Sequence, residues 1–261
     1  MQIKLWEQNI PFFYHEAETP NYMTTYLVDT DKPLPCIVIY PGGGYSKRAP
    51  HEGGPIAEYF NSRGFHAVVV EYRVAPNRDP APLVDAQRAI KLVRYHAKEW
   101  KIDPDRVVTL GFSAGGHLCA STLVCEEVDT GNCVADAISA MPYRPNGGIL
   151  CYPVISVDCN YGHVGSGKNL LGNRYDVEVQ SYNLSTKVTA DTPKAFLWHT
   201  SDDASVNVKN SLIFAEHLRD AGVPFELHVF PHGKHGLGLA PDHPDVCQWA
   251  SLAADWVERN I

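Results

Sequence analysis

The chain has 261 residues, 44% of them hydrophobic and 20% charged, ordinary values for a globular protein with a substantial core. Its 22 basic and 30 acidic side chains give a formal net charge of −8, which argues against nucleic acid or an anionic membrane as a partner. The start lacks an uninterrupted apolar stretch and no run approaches membrane-spanning length, while the seven cysteines (36, 119, 125, 133, 151, 159 and 247) form no C-x-x-C pair. Cys36, Cys119 and Cys151 sit in apolar stretches and read as buried free thiols, so a reduced, cytoplasmic setting is expected.

In chain order, the apolar run 36–40 reads as a buried strand, and Pro41-Gly42-Gly43-Gly44-Tyr45 follows it directly. Ile56, Tyr59, Phe60 and Arg63 then fall at helical spacing, with Gly64 as a stop. Residues 66–72 form the next strand. Ala86, Ala89, Ile90, Val93, Ala97 and Trp100 line one face of a helix. A strand at 106–110 runs into Gly111-Phe112-Ser113-Ala114-Gly115, and residues 114–120 can open a helix. Strands are expected at 148–152 and 194–198. A helix through Val208, Leu212, Ala215 and Leu218 ends at Gly222, and residues 225–230 make the last strand. Trp249, Leu252, Ala253, Trp256 and Val257 mark the final helix.

This alternation implies one α/β domain over residues 1–261, with a mostly parallel central sheet flanked by helices on both faces. Sites in such sheets lie beyond the carboxyl ends of the strands. Residues 158–192 show little periodicity and are expected to form a partial cap over the site.

Three motifs fall at strand ends. Gly111-Phe112-Ser113-Ala114-Gly115 fits the G-x-S-x-G elbow, a sharp strand-to-helix turn that exposes the serine hydroxyl. Its glycines are needed because side chains at 111 and 115 would clash with backbone, and the Ala114 N–H faces the space where an oxyanion would form. A chain of this length shows the pattern by accident roughly one time in ten, so its weight depends on what surrounds it. Upstream, the glycine triplet can turn N–H groups towards a ligand, with Gly43 and Gly44 as the candidate donors and Tyr45 as a candidate substrate contact. The bland alternative for the triplet is a flexible turn.

Downstream, Trp198-His199-Thr200-Ser201-Asp202-Asp203-Ala204-Ser205-Val206 offers two adjacent aspartates. Asp203 is preferred as the acid because a D-x-x-V pattern commonly stands here, leaving Asp202 as a loop or capping residue. Residues 230–239 offer His232 and His235. His235, next to Gly236, suits a loop that swings an imidazole over the serine, whereas His232 follows Pro231 at the strand end and reads as structural. His117 reads as a packing residue. The order Ser113, Asp203, His235 is one of several in which a serine, an acid and a histidine are arranged for acyl transfer.

Taken with Ala49-Pro50-His51-Glu52-Gly53, Tyr72-Arg73-Val74-Ala75-Pro76 and Asp85-Ala86-Gln87-Arg88-Ala89, these motifs resemble the acetyl xylan esterase and feruloyl/acetyl esterase branch of the α/β hydrolases. The resemblance runs from about residue 35 to the C-terminus. It implies the α/β-hydrolase fold, hydrolysis of short acyl esters such as acetylated sugars or xylo-oligosaccharides, and no metal or organic cofactor. Asn207, where relatives often carry proline, and Lys234, where glycine is common, depart from the pattern. The partner implied is a small-molecule or oligosaccharide ester; a homo-oligomer stays open. Competing readings are another acyl hydrolase such as an arylformamidase, and a non-catalytic ligand-binding protein on the same fold.

Overall fold

The computed structural model describes residues 1–14, 21–131 and 136–261; Cys133 lies outside them. Eight strands form one sheet among the described residues: β1 (Gln2–Lys4), β2 (Tyr22–Tyr26), β3 (Leu34–Tyr40), β4 (His66–Val70), β5 (Ile102–Phe112), β6 (Gly147–Cys151), β7 (Lys194–Thr200) and β8 (Phe225–Phe230). Their order is β1-β2-β4-β3-β5-β6-β7-β8, parallel from β4 to β8 and antiparallel at β1 and β2.

The helices are α1 (Gly54–Ser62), α2 (Ala81–Tyr95), α3 (Ala97–Trp100), α4 (Ser113–Val124), α5 (Val164–Leu171), α6 (Tyr175–Glu178), α7 (Lys209–Asp220) and α8 (Trp249–Asn260). Alternation along β3 shows why they cover both faces. Cys36, Val38 and Tyr40 point into a core shared with residues of α2, α4 and α7. Ile37 and Ile39 point into a second core with Phe60 of α1 and Trp249, Ala253 and Trp256 of α8. Strands buried on both sides must be apolar throughout, which is why β3, β4 and β6 read as continuous hydrophobic runs.

The chain passes from β3 outwards to β4, then returns to place β5 on the other side of β3. The turns after β3 and β5 therefore diverge and leave a crevice at the carboxyl ends of the strands. The glycine triplet and the elbow occupy those two turns.

The motif Tyr72-Arg73-Val74-Ala75-Pro76 does structural work. Buried Arg73 makes a two-pronged ion pair with Asp85, 2.8 Å at both contacts, and Trp6 Nε1 donates to the same carboxylate at 2.9 Å. This network ties the N-terminal strands to α2. Several expectations shift. The stripe expected as one helix at 86–100 is broken at His96 into α2 and α3. Residues 158–192 hold α5, α6 and short 3₁₀ turns, each too brief for a period to register in the sequence.

Candidate active site

Ser113 sits at the junction of β5 and α4 with φ +55°, a strained conformation for a residue with a side chain. The flanking glycines have no substitute. A Cβ at Gly111 would lie 2.1 Å from Gly115 O, and one at Gly115 would lie 2.1 Å from Tyr40 O. Backbone contact at both positions forces the sharp turn and presses the elbow against the end of β3. Ser113 and Ala114 open α4, where backbone N–H groups have no intrahelical acceptor and the helix dipole favours negative charge.

The triplet forms a tight turn after β3. Gly43 O accepts from the N–H groups of Ser46 (3.1 Å) and Lys47 (3.2 Å), and Gly44 and Tyr45 both take positive φ. Among the described residues, neither the Gly43 nor the Gly44 N–H donates to a protein acceptor. Backbone N–H groups without a protein acceptor are the kind of donor an oxyanion needs. The turn is clasped from above: Asn169 Nδ2 of α5 donates to Gly44 O at 2.8 Å, and Ser166 Oγ lies 4.0 Å from the space beside Gly44.

His235 reaches over Ser113 from the loop after β8. Its Nε2 lies 2.8 Å from Ser113 Oγ, and its Nδ1 lies 2.6 Å from Asp203 Oδ2. Asp203 Oδ1 accepts the N–H groups of Ser205 (2.8 Å) and Val206 (2.9 Å). The D-x-x-V spacing is thus a local turn in which the aspartate holds the backbone three residues on. Burial alone would raise the Asp203 pKa. Hydrogen bonds from His199, His235 and Val206 overcome it and hold the carboxyl well below the usual carboxylate range.

The neighbouring pair has a different job. Asp202 Oδ1 accepts Gly233 N–H at 2.8 Å, and His232 Nδ1 meets Asp202 Oδ2 at 3.0 Å with its side chain 85% exposed. They fasten the start of the His235 loop and reach neither Ser113 nor His235 in the hydrogen-bond pattern.

Tyr45 is buried, and its hydroxyl bonds His117 Nδ1 at 2.9 Å. Both line a cavity of about 410 Å³ with apolar walls from Pro80, Leu83, Leu118 and Leu170. Burial pushes the His117 pKa down to about 4 from 6.5, with Lys187 adding to the effect and the Tyr182 carbonyl opposing it. The unfolded chain therefore binds a proton between pH 6.5 and 4 that the folded chain refuses, so stability falls as pH drops through that window. His117→Asn, whose Oδ1 can still accept from Tyr45, is expected to flatten the fall of Tm there. Parallel Tm curves for variant and parent would refute the assignment.

Two residues not named as candidates from the sequence also pack against the site. His199 lies beneath Asp203, its Nε2 bonded to Val206 O at 2.9 Å and 3.5 Å from Asp203 Oδ2. Its position inside the strand before the acid was the only signal. Asn169, from the segment expected as a cap, carries no such signal. No helix among the described residues is long and apolar enough to cross a membrane.

A parallel sheet with a serine elbow after β5, an acid after β7 and a histidine after β8 defines an α/β hydrolase. The BD-FAE family pattern matches residues 23–143. The structure superposes with a TM-score of 0.93 on an acetyl ester-xyloside bifunctional hydrolase from Caldicellulosiruptor lactoaceticus, 47% identical over 99% of this chain and 96% of that one. Endo-1,4-beta-xylanase B of Butyrivibrio fibrisolvens is 38% identical over 91% of this chain and 38% of its own length. Acetylxylan esterase of Xylanibacter ruminicola is 35% identical over 78% and 41%. The chain spans about two fifths of the length of these two curated relatives. It belongs to the acetyl xylan esterase-like branch of the α/β-hydrolase family.

Proposed function

We propose that the chain is a serine esterase that removes short acyl groups, acetyl foremost, from sugars or xylo-oligosaccharides. The observation that carries this reading is the unbroken line Asp203–His235–Ser113, with contacts of 2.6 and 2.8 Å, beside free Gly43 and Gly44 N–H groups. Ser113 Oγ attacks the acyl carbon while His235 Nε2 takes its proton, and Asp203 steadies the imidazolium. The carbonyl oxygen gains charge against the N–H groups of Gly43, Gly44 and Ala114. His235 then protonates the departing alcohol, leaving an acyl-Ser113 ester. Water, deprotonated by His235, attacks that ester and releases the acid.

Two features support a sugar as the alcohol. An open cleft beside His235 is lined by Asp202, Ser205 and Lys234, groups suited to hydroxyls. Residues 158–192, as a partial cap, place polar Asn169, Ser166 and His163 near the turn, while of the segment's apolar pair Leu171 is buried in the core and Leu170 lines the cavity behind Tyr45. Tyr45 acts through its ring, as a wall between the glycine turn and the apolar cavity. The named relatives fit the same substrate class.

Short acyl groups are expected to give the highest kcat/KM, falling from acetate to butyrate to octanoate p-nitrophenyl esters. A binding wall built for long chains would contribute about 0.8 kcal/mol per methylene instead. Acetate release from acetylated xylo-oligosaccharides is expected in the same assays, and no turnover of N-formylkynurenine. A rate that climbs with chain length, without acetate release from sugars, would move the acyl group into the cavity behind Tyr45 and overturn the sugar reading.

A further inference from the structure

The motif Ala49-Pro50-His51-Glu52-Gly53 contributes no group to the chemistry above, yet it places a buried carboxylate where two loops of the site meet. The Glu52 side chain is 3% exposed. Its Oε2 accepts the Gly42 N–H at 2.8 Å, at the root of the glycine turn. Its Oε1 accepts the Tyr152 hydroxyl at 2.6 Å. That hydroxyl in turn accepts the Gly238 N–H at 2.9 Å, three residues beyond His235. The Tyr152 ring meets the His235 imidazole edge-on, with centroids 5.0 Å apart and planes at 67°. His51 Nε2 adds a contact to Gly236 O at 3.0 Å in the same loop.

The packing around Gly42 shows how closely these parts are joined. A Cβ there would lie 2.7 Å from Glu52 Oε2 and 3.0 Å from Ser113 Cβ. Carboxylate, turn and nucleophile converge on one backbone atom. A buried carboxylate persists only where its oxygens are filled, and both are filled here by groups of the site. Oxyanion loops of the HGGG type carry a histidine where Pro41 precedes the glycine triplet here. This turn therefore lacks that side chain, and a hydrogen bond from elsewhere fixes it.

We propose that Glu52 is a positioning residue: its carboxylate couples the Gly42–Gly44 turn to the His235 loop, so that the oxyanion donors and the base are set against Ser113 Oγ as one unit. The proposal rests on the reading of Ser113, Asp203 and His235 as the catalytic residues. Two variants test it. Glu52→Gln keeps the volume, and its amide oxygen can still accept from Gly42, but its amide nitrogen faces Tyr152 and leaves the hydroxyl proton without an acceptor. Tyr152→Phe spares the Gly42 contact and cuts the link to Gly238.

Each change is expected to lower kcat on p-nitrophenyl acetate by on the order of 10²-fold, the size of a sub-ångström to ångström misplacement, with KM unchanged. The inhibition constant of phenylboronic acid, whose tetrahedral adduct on Ser113 places an oxygen on the same donors, is expected to rise in step. The double variant is expected to lose less than the product of the two single losses, because both cut one connection. Should Glu52→Gln fail to fold, Tyr152→Phe decides alone. Parent-like kcat and inhibitor affinity, with or without a lowered Tm, would overturn the proposal. Ser113→Ala assayed alongside keeps the two levels apart: if it retains activity, the catalytic reading has failed; if it is dead while Glu52→Gln and Tyr152→Phe are fully active, only the positioning role has failed.

Discussion

Replacing Ser113 with alanine is expected to lower kcat on p-nitrophenyl acetate by about 10⁴–10⁶-fold, as removal of the nucleophile does in enzymes of this kind. The hydroxyl lies 2.8 Å from His235 Nε2, and no other serine stands on the elbow. The fold should survive. Alanine meets the same φ of +55° that serine already tolerates, and the hydroxyl's hydrogen bond is to the histidine. Binding of a substrate analogue should persist, because the donors at Gly43, Gly44 and Ala114 are backbone groups. Activity within tenfold of the parent would sink the assignment.

The second large effect separates adjacent residues. Asp203→Asn is expected to cost about 10⁴-fold in kcat, and His235→Ala a loss of similar depth. Geometry at residue 203 explains why an uncharged isostere fails. Ser205 and Val206 N–H groups require an oxygen at the Oδ1 position, so the asparagine nitrogen must face His235 Nδ1. That nitrogen is a donor. It forces the imidazole into the tautomer with its proton on Nε2, pointing at Ser113 and unable to accept. Asp202→Asn and His232→Ala should change kcat by only a few fold, since both side chains are exposed and fasten the loop from outside. Steady-state kinetics on the four variants decides the matter, and a reversed ranking within either pair would show that the neighbour carries the role.

What could be read from the chain beforehand follows a physical line. Gly111 and Gly115 are legible because a close backbone approach excludes every other residue at a fixed spacing. Asp203 is legible because its hydrogen bond to Val206 N–H is local, and β3, β4, β6, β7 and the second half of β5 because burial on both faces demands unbroken apolar runs. The strands β1 and β2 are three and five residues long, and Tyr22–Tyr26 carries two threonines, too little pattern to stand out. Asn169 on Gly44, Glu52 on Tyr152 and His199 beside Asp203 are different in kind. The first two join segments 125 and 100 residues apart, and the third turns a strand residue towards a loop. No local spacing encodes the first two, which only the folded sheet brings together; His199 stands four residues before Asp203 and is the local case.

The glycine contacts at the elbow also bear on how such a molecule can be altered. At Gly42, Gly111 and Gly115 the available space is already filled to within 2.1–2.7 Å by backbone or a fixed carboxylate, so the reacting centre offers almost no room for variation by side chain. Selection, natural or in the laboratory, that seeks a new alcohol group has little to gain there. It has far more freedom in residues 158–192, where one asparagine grips the glycine turn while short helices and turns make up the rest. A library that preserves Asn169 and the buried Ser166 and randomises the exposed positions of this segment is therefore expected to alter the choice of alcohol more than the rate of acyl transfer.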